Sequence, residues 1–172
     1  ITLSEGTEIS PEEKAKIELK ELERSFINKK IAGFFPTPQP LIDKMFSMIK
    51  IYENDKILEP SAGLGHIAEQ IRLKHPSNDL TTVETDFRLA QVLEKKGFKN
   101  TCADFLTLPT DEKKFDVIFM NPPFEKLQDI DHIKHAFNLL NPCGRLVCIM
   151  ASNKHRNSNR SKIVDFLKFV DE

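Results

Sequence analysis

The sequence predicts an α/β fold built on a doubly wound, mainly parallel sheet. Short apolar segments such as KILE (56–59) and FDVIFM (115–120) alternate with amphipathic stretches of helical period, and this order indicates βαβ units. Five of the six residues in FDVIFM are apolar, which is typical of a strand covered by helices on both faces. The 172 residues are enough for one such domain.

The chain is predicted to begin with a helical extension. In SPEEKAKIELKELERSFINKK (10–30), Ser10 and Glu13 form a capping-box pattern that marks the start of a helix. The loop GFFPTPQP (33–40) follows and is rich in residues that break helices. We therefore expect an N-terminal helical extension over residues 1–32 and a core over residues 33–172.

The core is expected to start with a helix over QPLIDKMFSMIK (39–50) and then to alternate strands with helices. The buried face of this first core helix is predicted to carry Leu41, Ile42, Met45, Phe46 and Ile49. The predicted strands are 56–59, 80–84, 99–103, 115–120 and 145–150. The helices that follow them are predicted over 65–74, 87–96, 128–140 and 161–170. Right-handed connections between such strands make the sheet parallel.

Composition narrows the class of protein. Apolar residues make up 40% and charged residues 30% of the chain, and the net charge is −1. No apolar stretch approaches the ~20 residues that a membrane span requires. Cys102, Cys143 and Cys148 form no C-x-x-C pair, so we expect reduced, buried thiols in a cytoplasmic protein.

Acidic side chains follow three successive predicted strands. Glu59, Glu84 and Asp104 each stand at a carboxyl end, and in a parallel sheet these ends lie along one edge, where ligands bind. A single acid there is most simply a solvated residue. Three in series beside a glycine turn predict a ligand site.

The turn EPSAGLGHIA (59–68) fits the pattern G-x-G-x-x-A through Gly63, Gly65 and Ala68. Glycines allow a tight turn and a close approach of backbone to a ligand. Glu84 lies 21 residues beyond Gly63, near the offset of about 20 at which an acid holds ribose hydroxyls. The pattern alone also fits a dinucleotide site or a plain tight connection.

The motif NPPF, at the end of the fourth predicted strand, favours a different chemistry. Pro122 and Pro123 lack a backbone N–H and restrict φ, so the turn is stiff and the Pro122 carbonyl is available as an acceptor. The Asn121 side-chain oxygen is a second acceptor, and Phe124 supplies an aromatic face. Two converging acceptors fit an NH₂ group and concentrate its lone pair for attack on an electrophilic methyl group. A turn that only ends the strand is the alternative.

Together these segments resemble the class I S-adenosylmethionine-dependent methyltransferases, which have a Rossmann-like fold, and among them the N6-adenine DNA methyltransferases. The motifs that carry the resemblance lie within 33–150 and are GFFPTP, EPSAGLG, VETD, ADF and NPPF. The resemblance implies S-adenosylmethionine as the cofactor and no metal. The cofactor-binding residues that it implies are Phe35, Pro36, Thr37, Glu59, Pro60, Ser61, Ala62, Gly63, Gly65, Glu84, Thr85, Asp104, Phe105 and Asn121. The catalytic residues that it implies are Asn121, Pro122, Pro123 and Phe124.

Roles follow from the same resemblance. Glu84 would hold the ribose, and Asp104 with Phe105 would bind the adenine, with the Phe105 ring able to stack on the base. The substrate would be adenine N6 in nucleic acid, with DNA favoured, and a restriction-modification role would fit. Ribosomal RNA, a protein glutamine, or a non-catalytic binding module are the alternatives.

Two further features bear on partners. The basic segment SNKHRNSNRSK (152–162) is expected to contact nucleic acid, with a solvated loop as the alternative; its cations are Lys154, Arg156, Arg160 and Lys162. Only five strands are predicted, whereas the resemblance implies seven. We therefore expect the fold to be truncated after the fifth strand, with a partner chain or a missing C-terminal region covering that edge.

One cluster is expected to have no role in the chemistry. Asp129, Asp131, His132 and His135 share one predicted helix. Metal coordination is conceivable for such a set, but a solvated helix face is the favoured interpretation.

Overall fold

The computed structural model describes residues 10–27, 35–111, 115–150 and 160–171. The chain divides into two units, Ile1–Ala32 and Gly33–Glu172. In the first unit, helix α1 spans Pro11–Ile27. Its start is a capping box, in which the Ser10 N–H donates to Glu13 Oε2 (3.0 Å) and the Glu13 N–H donates to Ser10 Oγ (3.2 Å).

The second unit alternates strands and helices as the sequence predicts. Its strands are β1 (Lys56–Glu59), β2 (Asp79–Glu84), β3 (Lys99–Cys102), β4 (Phe115–Met120) and β5 (Leu140–Cys148). Its helices are α2 (Gln39–Met48), α3 (His66–Lys74), α4 (Phe87–Lys95), α5 (Gln128–Asn138) and α6 (Arg160–Asp171). Short 3₁₀ turns occupy Phe105–Thr107 and Glu125–Leu127.

The strands form one sheet in the order β3-β2-β1-β4-β5, and every neighbouring pair is parallel. The chain builds outward from β1 to β3 and then returns to add β4 on the other side of β1. Strand order therefore reverses between β1 and β4, and this is where a doubly wound sheet opens a crevice beyond its carboxyl ends. The predicted α/β class is confirmed.

Alternate residues of β4 enter two different cores. Val117 and Phe119 pack with Ile42 and Met45 of α2 and with α3, whereas Ile118 and Met120 pack in a cluster with α5 and with Phe166 of α6. Both faces of the strand are buried except at the half-buried Asp116, which explains why five of its six residues are apolar. Each such apolar side chain contributes about 1.5–3 kcal/mol by burial, so β4 firmly holds the start of the NPPF motif.

Two expectations need correction, one on the buried face of α2 and one on the burial of the cysteines. Leu41 is exposed, because the buried face of α2 centres on Ile42 and Met45. Cys102 and Cys143 are exposed free thiols and Cys148 is only half-buried, since Cys102 ends the edge strand β3 and Cys143 lies in an irregular part of β5 with φ of 63°.

Strand β5 begins earlier than predicted and lies at an edge. It pairs at Leu140 with Phe115 and resumes at Arg145 with Val117, with an irregularity between the two. Within the described ranges, β5 pairs only with β4. In the same ranges, helices are too short or too polar to cross a lipid bilayer.

Candidate active site

The register of the sheet gathers the predicted acids along one edge. Glu59 pairs with Thr82 of β2, and Glu84 pairs with Cys102 of β3. Leu58 pairs with Ile118 of β4, so Asn121, just past the end of β4, lies beyond the same edge. Glu59, Glu84, Asp104 and Asn121 thus all lie at carboxyl ends of neighbouring strands.

The turn after β1 is buried and tied to β2. The Ala62 N–H donates to the Val83 carbonyl over 3.0 Å. Gly65 ends the turn with φ of +82°, a region that L side chains rarely adopt, and a Cβ there would lie 2.8 Å from Leu93 Cδ2. Pro60, Ala62 and Gly63 are buried and Ser61 is half-buried. The small residues of EPSAGLG therefore meet a steric requirement of the fold.

Glu59 is a buried acid with one unused oxygen. It is 1% exposed, and burial, with nearby Glu84 and Glu69, raises its pKa well above the ordinary range. The Ala68 backbone N–H, in the first turn of α3, hydrogen-bonds to it and opposes that rise. Oε2 has no hydrogen-bond partner among the described residues. Such an oxygen fits a cationic or N–H-bearing ligand.

Glu84 organises the neighbouring backbone. Its Oε2 accepts from the Gly63 N–H (2.7 Å) and its Oε1 from the Asp86 N–H (2.8 Å). Burial raises the pKa of this carboxyl, and the N–H donors, with Thr85 among them, partly offset the rise. Thr85 itself is exposed. Glu84 thus holds the glycine turn as well as facing the edge where a ribose is expected.

The structure separates Asp104 from the ring of Phe105. Asp104 is exposed, and its Oδ1 accepts from the Leu106 N–H over 3.0 Å. The Phe105 ring is 2% exposed and lies 5.5 Å from the His132 ring and 4.8 Å from that of His135. The expectation that this ring stacks on a base is therefore wrong, because the ring is buried in the core beneath α5. A cofactor role for Asp104 and the Phe105 backbone stays a prediction.

Asn121 is held by the segment that precedes α2. Its Nδ2 donates to Thr37 Oγ1 (3.0 Å) and to the Phe35 carbonyl (3.3 Å), whereas its buried Oδ1 has no hydrogen-bond partner in the described part of the chain. Pro122 is buried and Pro123 half-buried. The amide therefore presents an acceptor, as the sequence suggested.

Aromatic faces accompany this acceptor. The rings of Phe35 and Phe124 are 6.1 Å apart and tilted by 38°. Phe35 is 60% exposed, Phe124 is half-buried, and Pro36 is exposed. A flat group could contact both rings while its amine reached Asn121.

Sequence reasoning missed the environment of α5. Asp129 is 0% and His132 7% exposed, so the expected solvated face is wrong for them. Both lie on the face that buries Ile130 and Ile133, at helical spacing, and this periodicity was the available signal. Burial lowers the pKa of His132 and of His135. In the described residues, these side chains and their neighbours form no group that could hold a metal ion.

The basic segment is only partly described. Lys154 and Arg156 lie outside the described residues. Arg160 begins α6, and Lys162 Nζ pairs with Asp131 Oδ2 at 2.6 Å. The expected nucleic-acid track therefore stays a prediction, and Lys162 already has an acidic partner.

Comparisons with known proteins agree with this architecture. A family model described as methyltransferase small domain matches residues 41–171. The modification methylase CviBIII of Paramecium bursaria Chlorella virus NC1A is 31% identical over 99 residues, covering 54% of this chain and 26% of that protein. The chain thus spans about a quarter of this curated relative.

Solved structures share the fold. TrmN from Thermus thermophilus has a TM-score of 0.58 and 16% identity, over 86% of this chain and 44% of TrmN. An RNA methyltransferase from Salinibacter ruber, in complex with S-adenosyl-L-homocysteine, has a TM-score of 0.57 and 19% identity, over 68% of this chain and 79% of that one. At these identities the likeness is one of fold.

Proposed function

Because the chain belongs to the methyltransferase small domain family, we propose that it transfers a methyl group to the N6 amine of adenine in nucleic acid, with DNA as the substrate. The observation that carries this proposal is the orientation of Asn121. Both of its Nδ2 protons face acceptors on the protein, and its buried oxygen has no partner among described groups. An amine that offers two protons is the complementary ligand.

The cofactor is S-adenosylmethionine, which supplies a methyl group on a positively charged sulfonium. The residues that would hold it are the three acids at the sheet edge, Glu59, Glu84 and Asp104, with the buried turn between β1 and α3. The unpartnered Oε2 of Glu59 supports this fit, because a buried carboxylate is stabilised by a cation or an N–H donor.

The chemistry of the chain's own residues is electrostatic. Asn121 Oδ1 and the Pro122 carbonyl accept hydrogen bonds from the two amine N–H groups, which withdraws the nitrogen lone pair from the conjugated ring. Phe124 and Phe35 provide faces on which the base is held. Positioning and fixed dipoles then supply the rate. The amine nitrogen would bond to the methyl carbon as the carbon–sulfur bond breaks, leaving a neutral thioether, and the extra amine proton would pass to solvent.

The substrate class is the least constrained part of the proposal. DNA is supported by the likeness to a modification methylase and by the EP and ADF motifs. RNA is the second candidate, because one protein of the same fold is an RNA methyltransferase. A protein glutamine also carries an NH₂ group that the same acceptors would bind.

The chemistry is tested by replacing Asn121. Asn121→Ala should bind the cofactor as the wild type does, measured by calorimetry, and should lose transfer by about 100-fold or more. Asn141→Ala is the matched control, because Asn141 donates to Asp116, near the amino end of β4. Normal transfer by Asn121→Ala would refute the proposed role of the motif.

The substrate is tested with a labelled methyl donor. Wild-type protein is incubated with DNA, RNA and protein fractions, and the labelled product is digested and identified. Label in N6-methyladenine from DNA supports the proposal. Label confined to RNA or to glutamine would reassign the substrate. Cofactor binding with no label in any fraction would favour a non-catalytic binding module.

A further inference from the structure

We propose that Thr37 is a positioning residue that fixes the Asn121 carboxamide with its oxygen toward the substrate amine. The inference rests on the proposed function and adds a role to the site. Sequence reasoning assigns Thr37 to the cofactor, whereas the structure joins its hydroxyl to Asn121 over 3.0 Å. A hydroxyl accepts and donates at once, so this contact leaves a cofactor contact open to it.

The two acceptors at Nδ2 together decide which way the amide points. The Phe35 carbonyl is 3.3 Å from Nδ2 and can only accept. If the amide were rotated by half a turn, its oxygen would face that carbonyl oxygen, and a buried NH₂ group would point at the substrate. The observed rotamer is therefore the one that satisfies both Nδ2 protons.

The hydroxyl is well suited to this task because its backbone is stiff. Thr37 lies between Pro36 and Pro38. Pro38 fixes its own φ at −65° as the N-cap of α2, and a residue before proline is restricted as well. Helix α2 is in turn anchored in the core through Ile42 and Met45. A rigid acceptor, 84 residues away in sequence, thus holds the amide.

The contact has a predictable catalytic consequence. With one Nδ2 proton unsatisfied, the carboxamide can rotate about its terminal bond, and its oxygen is aligned with the amine for less of the time. Alignment affects the transfer step more than ligand affinity. Loss of the Thr37 hydroxyl should therefore lower kcat and leave the affinity for the cofactor product nearly unchanged.

The variants separate the hydroxyl from the shape of the side chain. Thr37→Val keeps the shape and removes the acceptor, and Thr37→Ser keeps the acceptor. Ser47→Ala is the matched control, since it removes an exposed hydroxyl on α2 that donates to the Lys44 carbonyl within its own helix. Melting temperatures establish that all three variants fold.

The first measurement needs no substrate. In ¹⁵N–¹H spectra the side-chain amide signals of Asn121 are identified by their loss in Asn121→Asp. Thr37→Val should shift one of them upfield and speed its exchange with solvent, whereas Thr37→Ser and Ser47→Ala should leave it in place. An unmoved signal in Thr37→Val would overturn the inference.

The second measurement is kinetic. Thr37→Val should lose about tenfold in kcat, with an affinity for S-adenosylhomocysteine within about twofold of wild type, and Thr37→Ser should recover most of the rate. A loss of affinity with normal kcat would instead make Thr37 a cofactor contact and overturn the inference. Failure of the proposed function can be told apart from failure of this inference. If the proposed function is wrong, the wild type itself transfers no methyl group, whereas the Asn121 amide signals still report its contact with Thr37.

Discussion

The Gly63 backbone N–H donates to the Glu84 carboxylate over 2.7 Å, joining the turn after β1 to the end of β2. The spacing of 21 residues in the sequence thus corresponds to a direct hydrogen bond. Glu84 is 9% exposed and also accepts from the Asp86 N–H, so one carboxylate satisfies donors on two turns. The residue expected to bind ribose is also a structural support of the cofactor turn.

Replacing Glu84 should therefore reduce stability as well as cofactor affinity. Glu84→Gln keeps the size of the side chain but offers one acceptor oxygen, so either Gly63 or Asp86 would face an NH₂ group. We expect a loss of about 1–3 kcal/mol in the free energy of unfolding, measured in urea. Glu94→Gln, on the exposed face of α4, should change stability little. Equal stability of the two variants would contradict the supporting role.

Two glycines of positive φ provide a matched test of steric strain. A Cβ at Gly65 (φ +82°) would meet Leu93 at 2.8 Å, whereas a Cβ at Gly97 (φ +75°) would have no atom within 4 Å. Gly97→Ala should cost about 1–2 kcal/mol for the left-handed backbone alone. Gly65→Ala should cost about 1–3 kcal/mol more, for overpacking. Urea unfolding would measure both, and a larger loss in Gly97→Ala would show that backbone strain, not crowding, dominates.

The sequence predicted the sheet well because its central strands are covered on both faces. β1 and β4 match their expected bounds, since each contains a run of buried apolar residues, Ile57 and Leu58 in β1 and Val117 to Met120 in β4. The start of β5 was harder to predict. The sequence from Asn141 to Gly144 indicates a turn, yet the residues on both sides of it pair with β4, with an irregularity between them. Such a bulge depends on tertiary contacts rather than on local propensity.

The sequence predicted which residues form the site better than it predicted how their side chains are oriented. Strand ends and the glycine turn place Glu59, Glu84 and Asn121 from sequence order alone. The direction of the Phe105 ring is set by how α5 packs, and the contact between Thr37 and Asn121 joins segments 84 residues apart. Neither the direction of the Phe105 ring nor the contact between Thr37 and Asn121 produces a periodic pattern in a single sequence.

The buried His132 of α5 should make the fold sensitive to acid. Burial lowers the pKa of His132, which Asp104, Asp131 and Asp129 partly oppose. The unfolded chain therefore binds this proton more tightly, so stability should fall as the pH drops below about 6.5. His132→Gln should weaken this decline, measured as melting temperature between about pH 7.5 and 5.5. If the melting temperature of His132→Gln declined with pH as that of the wild type does, the acid sensitivity would belong to other groups, with His135 first among them.

Glu59 should have the opposite pH dependence. Burial raises its pKa in the folded state, so folding favours the protonated carboxyl, and the free energy of unfolding should fall as pH rises from the ordinary carboxyl range through the raised pKa. A cationic cofactor favours the carboxylate, so its affinity should rise over the same window. Glu59→Gln should flatten both trends, stabilise the protein at neutral pH and weaken cofactor binding, as followed by thermal unfolding and calorimetry. Because Glu84 couples to Glu59, the quantity to compare is the difference between wild type and variant at each pH. A constant difference would show that Glu59 does not change its charge in this range.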